Sequence, residues 1–158
     1  MYPVPVQAKG RLWIMPCPRA DHLRTDIAAY RAAGVSHLVS MLAPDEAQEL
    51  GLAQEQRDCR AAGMVFHTHP IKDFGLPDLT EFIRLTGQIT QWINQGHRVA
   101  VHCRAGIGRS GMVTAAVLIN LGETAANAIA LVSAARHVSI PDTVEQGVFI
   151  TSLSNLLK

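Results

Sequence analysis

The strongest constraint on the fold is a short apolar strand joined to an almost wholly apolar helix by one glycine-rich loop. The strand pattern covers residues 98–102 and the helical pattern covers residues 108–121, with Gly106 and Gly108 at the junction. A helix that is apolar on nearly every side is normally buried, and a strand joined to it belongs to a layered α/β structure. The segment therefore predicts a central strand and a central helix.

The rest of the chain alternates between strand and helix patterns in the same way. Further strand patterns lie at 11–15, 35–42 and 64–69, and further helical patterns at 21–33, 45–62, 79–95, 124–136 and 142–157. Such alternation is typical of a mostly parallel sheet, and 158 residues suit one core. We therefore predict a single α/β domain over residues 1–158, with its core at roughly 11–155. Its central, mostly parallel sheet should have about four or five strands flanked by helices.

Composition and charge exclude several classes of protein. Fourteen Lys and Arg against thirteen Asp and Glu leave a net charge of +1, so no broad basic surface favours nucleic acid or anionic lipid. The longest apolar run, 111–122, is too short to span a bilayer, and Lys9 and Arg11 follow the first apolar stretch rather than precede it, unlike a secretory leader. Three cysteines without paired spacing are typical of a reducing compartment. We expect a cytoplasmic monomer with no nucleic-acid or membrane partner.

The loop between strand and helix has the composition of an anion site. Backbone N–H groups at a helix start lack partners and carry partial positive charge, and glycine lets the backbone approach an anion closely. We expect phosphate to bind to the loop and to the arginine that follows it. The candidate phosphate-binding residues are Arg104, Ala105, Gly106, Ile107, Gly108 and Arg109.

Three side chains around this loop suit nucleophilic catalysis. The positive field at the helix start favours the thiolate form of Cys103, which makes it the candidate nucleophile. Arg109 can hold two phosphate oxygens with its planar guanidinium, and Ser110 can donate to the sulfur when it departs. The structural alternative is a buried free cysteine before an ordinary glycine turn, but the combined spacing of these residue types favours catalysis.

Residues 102–110 follow the pattern H-C-x-x-G-x-x-R-S. This pattern resembles the active-site signature of the cysteine-dependent protein tyrosine phosphatase superfamily. Residues 73–77, DFGLP, begin 30 residues before Cys103 and resemble the acid loop of that superfamily. Three wider segments resemble the kinase-associated phosphatase branch of the dual-specificity phosphatases, also called the cyclin-dependent kinase inhibitor 3-like branch. They are FHTHPIKDFGLPD, IMPCPR and VSHLVSML.

The resemblance implies a single phosphatase domain that uses neither metal nor cofactor. It implies hydrolysis of phosphotyrosine, and of phosphoserine or phosphothreonine, through a cysteinyl-phosphate on Cys103, with Asp73 as general acid and a phosphorylated protein as partner. Two alternatives stay open. One is a phosphatase of inositol, lipid or nucleotide phosphates with the same loop chemistry, and the other is a phosphoprotein-binding module with little activity.

Several site residues have competing interpretations. Asp78 is a rival to Asp73, although its position before a helical pattern also suits an N-cap. The resemblance implies a glutamine that positions water, for which Gln146 is available, while Asp142 occupies a more upstream position. His102 is expected to support the loop through hydrogen bonds.

The remaining histidines and cysteines near these motifs support no second site. His67 and His69 share a strand face, as metal ligands can, but no further ligand has suitable spacing, so no metal is predicted. Cys17 and Cys59 are interpreted as packing residues, and either one could form a disulfide with Cys103 under oxidation.

Overall fold

A computed structural model describes residues 1–157, which form one five-stranded sheet with helices on both faces. The order across the sheet is β1-β2-β5-β3-β4, with β1 antiparallel to β2 and the other neighbouring pairs parallel. The strands are β1 (Tyr2–Val4), β2 (Arg11–Met15), β3 (His37–Ser40), β4 (Val65–Thr68) and β5 (Arg98–His102). The predicted fold class, a single α/β domain with a mostly parallel sheet, is confirmed.

Helices cover the two faces of this sheet. They are α1 (Leu23–Ala32), α2 (Pro44–Glu49), α3 (Glu55–Ala61), α4 (Leu79–Asn94), α5 (Arg109–Asn120), α6 (Ala125–Arg136) and α7 (Val144–Leu153). Buried residues of α4, α5, α6 and α7 form one core cluster, and those of α1 and α3 belong to the other. Eleven of the twelve residues of α5 are buried, as its apolar sequence predicts.

Alternation along the strands supplies both clusters. In β2, Leu12 and Ile14 pack into the cluster with α5, whereas Trp13 and Met15 pack into the cluster with α1. Successive side chains of a strand point to opposite faces, so a strand covered on both sides must be apolar throughout. This is why the central strands have continuous apolar sequences.

Two parts of the fold differ from the prediction. The helix expected at 45–62 is wrong, because residues 50–54 form a turn that separates α2 from α3. Gly51 has a φ of +74° there, a conformation that ends a helix and that glycine adopts without strain. Strand β1 was not predicted. It contains Pro3, which cannot donate to a ladder, but β1 is an edge strand, where proline is tolerated. Its buried Val4 extends the core beyond the expected 11–155.

Candidate active site

The candidate site lies where the central strand β5 ends. Residues 103–108 connect β5 to the first turn of α5, so the loop stands at the positive end of a long buried helix. Cys103 is 3% exposed at the base of this loop. The hydroxyl of Ser110, in the first turn of α5, donates to the Cys103 Sγ over 2.7 Å.

Four successive carbonyls of the loop point outward and each accepts a hydrogen bond. The four bonds are His102 Nδ1 to Cys103 O at 3.1 Å, Cys17 N to Arg104 O at 3.1 Å, Arg136 Nη2 to Ala105 O at 3.1 Å, and Arg136 Nε to Gly106 O at 3.2 Å. In a planar trans peptide the N–H points opposite to the C=O. The N–H groups of residues 104–107 therefore turn toward the inside of the loop, and none has an acceptor among residues 1–157. N–H groups arranged in this way can form a nest for an anion.

The loop conformation depends on glycine at two positions. Gly106 has a φ of +73°, and a side chain there would collide with the backbone of Met15 and Pro16. Gly108 lies against the carboxylate of Asp142 and the amide oxygen of Gln146. Both glycines suit the close packing that the sequence pattern implied.

Arg109 is fully buried and held by three partners. Its Nη1 and Nη2 donate to the two carboxylate oxygens of Glu46 over 2.7 and 2.9 Å, Nη1 also donates to the Ile71 carbonyl over 2.9 Å, and Nη2 donates to Asp73 Oδ1 over 3.1 Å. Burial lowers the pKa of Arg109, but Glu46, Cys103 and Asp73 together raise it above its ordinary value. The hydrogen bonds from Arg109 in turn lower the pKa of Glu46. The Nε–H of Arg109 has no acceptor among the described residues and remains for a ligand.

The two candidate acids occupy different environments. Asp73 lies on the loop between β4 and α4, with a side chain 35% exposed and in contact with Arg109. Asp78 is the N-cap of α4 and accepts from the N–H of Glu81 over 3.0 Å. The geometry thus brings Asp73, and not Asp78, to the arginine of the loop.

Gln146 is fully buried and all of its polar atoms are engaged. Its Oε1 accepts from the N–H groups of Asp142 and Thr143 over 3.1 and 3.2 Å, and its Nε2 donates to the Gly75 carbonyl over 3.2 Å. It therefore links the start of α7 to the loop of Asp73. Asp142 faces the phosphate loop, and burial followed by the charge of Asp73 raises its pKa. The water-positioning role of Gln146 stays a prediction.

Sequence reasoning missed Glu46 and Glu55. Glu46 lies on α2 and pairs with Arg109, and Glu55 is buried on α3 with its Oε2 2.6 Å from Nε2 of His102. Both acids lie in the one helix predicted at 45–62, and acidic residues are common on helix surfaces. Arg136, whose side chain donates to two carbonyls of the loop, also stacks over the ring of Tyr2 at 4.3 Å.

The other histidines and cysteines singled out in the sequence do not bring their side chains to the Cys103 loop. The ring of His67 packs against Trp92 with centroids 4.6 Å apart. Across residues 1–157, no group of three His, Cys, Asp or Glu could hold a metal ion. Cys17, Cys59 and Cys103 are free thiols; Cys59 is buried in the cluster with α1, while Cys17 donates its N–H to the loop. No helix in that part of the chain is long and apolar enough to cross a membrane.

Comparison with protein families gives one match over most of the chain. The family described as "Tc-R-P: Polymorphic toxin system, DSP-PTPase phosphatase" matches residues 15–123. This range includes Asp73, the loop at residues 103–108 and α5.

Two curated proteins are similar to this chain, but each alignment covers only a small part of the curated protein. Protein tyrosine phosphatase domain-containing protein 1 of Bos taurus is 31% identical over 123 residues, which is 72% of this chain and 15% of that protein. Cyclin-dependent kinase inhibitor 3 of Homo sapiens is 34% identical over 62 residues, which is 39% of this chain and 29% of that protein. The chain thus spans less than a third of the length of these relatives.

Solved structures share the fold at low identity. A structure of kinase associated phosphatase with a serine in place of its catalytic-site cysteine superposes with a TM-score of 0.87 at 19% identity, covering 99% of this chain and 94% of that one. The active form of Tk-PTP gives a TM-score of 0.75 at 21% identity, covering 98% and 97%. The predicted resemblance to the kinase-associated branch is confirmed.

Proposed function

The chain belongs to the DSP-PTPase phosphatase family, and from this premise we propose that it removes phosphate from phosphotyrosine, phosphoserine and phosphothreonine in proteins. A phosphorylated protein is the partner this proposal requires. The expected monomeric state and cytoplasmic location stay predictions.

In the proposed reaction, the phosphate dianion occupies the nest formed by residues 104–107. Arg109 donates its free Nε–H to the phosphate. When Asp73 moves away from Arg109 toward the leaving oxygen, the Nη2–H that it occupied also becomes available to the phosphate. Glu46 keeps the guanidinium in place throughout this exchange. Donors arranged before the reaction stabilise the charge on the equatorial oxygens of the transition state.

The thiolate of Cys103 attacks phosphorus in line with the bond to the leaving oxygen. The S–P bond forms, the P–O bond breaks, and protonated Asp73 gives its proton to the leaving oxygen. In the second step, ionised Asp73 takes a proton from water, whose oxygen attacks the cysteinyl-phosphate. The S–P bond then breaks, and the Ser110 hydroxyl, 2.7 Å from Sγ, stabilises the departing thiolate.

The observation that carries the proposal is the thiol at the centre of an anion nest, with a carboxylic acid and a buried arginine at its edge. A sulfurtransferase would need no acid at the position of Asp73. A silent binding module would need neither that acid nor the bond from Ser110 to the Cys103 sulfur.

The experiment measures initial rates on phosphotyrosyl and phosphothreonyl peptides in EDTA. We expect turnover with the natural chain and with Cys59→Ala, the matched change at a cysteine on the other side of the sheet, and none with Cys103→Ser. Turnover that persists in Cys103→Ser would refute the mechanism. The ratio of the two peptide rates measures the substrate preference.

One observation keeps a small-molecule phosphatase as a second candidate. A solved structure of PTPMT1 in complex with PI(5)P shares this fold with a TM-score of 0.74 at 20% identity. The same assay should therefore include a phosphoinositide, a soluble inositol phosphate and a nucleotide. A kcat/KM on one of these about a hundredfold above both peptides would replace a protein substrate with a small molecule.

A further inference from the structure

Exposed apolar side chains are concentrated near Asp73 and along α7. Among residues 1–157, nine large apolar side chains are exposed, and five of them belong to the segment after Asp73, the first residue of α4, or α7. These five are Phe74, Leu76, Leu79, Val144 and Val148. Exposed apolar patches on soluble proteins often mark binding sites.

Three of these side chains line one groove, the α7 groove, which has a volume of about 510 Å³. They are Leu76, Val144 and Val148, which are 51%, 78% and 63% exposed. The lining is completed by Glu145, Phe149 and Ser152. The ring of Phe149 packs edge-on against the buried ring of Phe82, with centroids 5.0 Å apart, so the groove is anchored to the core.

Helix α7 is apolar on two faces, and the core covers one of them. The buried face carries Gln146, Ile150 and Leu153. Val144 and Val148, which are four residues apart and therefore neighbours on the helix surface, stay exposed. A surface helix is normally polar on the side away from the core, so this second apolar face suits a contact with another molecule.

The α7 groove adjoins the loop at residues 103–108. Asp142, two residues before the start of α7, lies against Gly108 of that loop, and two residues of extended chain span at most about 7 Å. On the other wall, the carbonyl of Gly75 accepts from Nε2 of Gln146 over 3.2 Å. A chain whose phosphate occupies the loop can therefore place a side chain in the groove from a position one to three residues away.

The charge around the groove narrows the choice of occupant. Glu145 lines the groove and Asp142 lies between it and the loop, and both are exposed. Neither carboxylate has an ion-pair partner among the described residues. An acidic segment would be repelled, whereas a segment with a basic residue beside its apolar side chain would be attracted.

We propose that the α7 groove binds a large aliphatic side chain one to three residues from the phosphorylated residue of a protein substrate, in a segment with a basic neighbour. The inference rests on the proposed function, because the occupant is the chain that presents the phosphate. Val144 and Val148 are then specificity-determining residues.

A set of phosphotyrosyl peptides tests the groove. One leucine is moved from three residues before to three residues after the phosphotyrosine in a serine and glycine background, and kcat/KM is measured for each peptide. We expect one position to raise kcat/KM about tenfold over the peptide without leucine, because that side chain leaves water on binding. A gain below about twofold at every position would overturn the proposal.

The double variant Val144→Ser with Val148→Ser removes the apolar face without opening the core, because both side chains are exposed. It should lose the leucine advantage and keep kcat/KM on the peptide without leucine. The matched control, Val65→Ser, changes an exposed valine at the start of β4, at the opposite end of the sheet from the loop. It should keep the advantage, and a double variant that also keeps it would overturn the proposal.

Glu145→Gln tests the basic neighbour. On the preferred leucine peptide at low salt, lysine beside the leucine should give a kcat/KM about three- to fivefold above that with glutamate, and Glu145→Gln should lower this ratio. A ratio that Glu145→Gln leaves unchanged would overturn the basic neighbour.

Peptide binding to Cys103→Ser, measured by calorimetry, separates this inference from the proposed function. The same leucine preference should appear in Kd, which needs no turnover. A preference in binding without turnover by the natural chain would refute the proposed function and keep the groove. Turnover without a preference would refute the groove alone. So would a double variant that only converts a dimer into a monomer in sedimentation, because the groove would then bind a second copy of the chain.

Discussion

Glu46→Gln removes the charge that holds the buried Arg109. The carboxylate of Glu46 accepts two hydrogen bonds from the guanidinium, at 2.7 and 2.9 Å, with 1% of the Arg109 side chain and 13% of the Glu46 side chain exposed. Glutamine offers one acceptor oxygen and turns an NH₂ group toward the second arginine nitrogen. The guanidinium would keep only the Ile71 carbonyl and Asp73 as full partners.

The size of the effect follows from these contacts. Breaking a buried ion pair costs about 3–5 kcal/mol, and a hydrogen bond to a charged group contributes about 1.5–3 kcal/mol. Because Arg109 retains two partners, we expect a loss of about 2–3 kcal/mol in the free energy of unfolding. For a chain of this size that lowers Tm by about 5–10 °C. Misplacement of the guanidinium should also lower kcat/KM by about tenfold or more.

The pH dependence identifies the cause. Arg109 lowers the pKa of Glu46 in the folded chain, so the pair contributes stability above the unfolded glutamate value of about 4.3 and loses it as the pH falls through the folded value. Denaturant unfolding at a series of pH values should show the gap between the natural chain and Glu46→Gln closing below about pH 4.

Glu49→Gln, an exposed change on the same helix, should stay within about 0.5 kcal/mol of the natural chain. A gap for Glu46→Gln that persists unchanged to about pH 3, or a variant as stable as Glu49→Gln, would refute the reasoning.

Three further changes test the site. Asp73→Asn should lower kcat by about 10²–10⁴-fold on phosphoserine peptides and less on para-nitrophenyl phosphate, whose leaving group needs little protonation. Asp78→Asn should keep kcat and nearly all of the stability, because asparagine also caps a helix. Equal losses on both substrates for Asp73→Asn would contradict the assignment. Ser110→Ala should slow hydrolysis of the cysteinyl-phosphate. Rapid mixing should then show a burst of the leaving group, followed by turnover about tenfold slower than that of the natural chain. The absence of a burst would contradict the role assigned to Ser110. Gly106→Ala should abolish vanadate binding measured by calorimetry, because the added Cβ meets the Met15 backbone in a strained conformation; unaltered affinity would contradict the loop geometry.

The local structure of residues 102–110 was predicted well because its determinants are contiguous. Strand β5, Cys103, Gly106 and α5 follow one another, so local periodicity and glycine placement suffice. Asp73 lies 30 residues before Cys103, but its short motif and that spacing make it the candidate acid. These features depend little on how the remaining helices pack.

The partners of the loop were not predictable because they reach it only through the tertiary structure. Glu46 and Glu55 are ordinary acidic residues in a region whose pattern predicts one helix, and the break at Gly51 is what directs α2 to Arg109 and α3 to His102. The periodicity of a helix does not indicate which of its acidic residues will be buried by another element of the fold.

The outward carbonyls of the phosphate loop have a thermodynamic and kinetic consequence. Because separate elements fix four successive peptide groups before any ligand arrives, anion capture should require little loss of conformational entropy and should be mainly enthalpic. The segment around Asp73 is attached by single hydrogen bonds to Arg109 and Gln146, so we expect motion to concentrate there. Closure and reopening of that segment, on the microsecond to millisecond scale common for such loops, would then set the pace of the catalytic cycle.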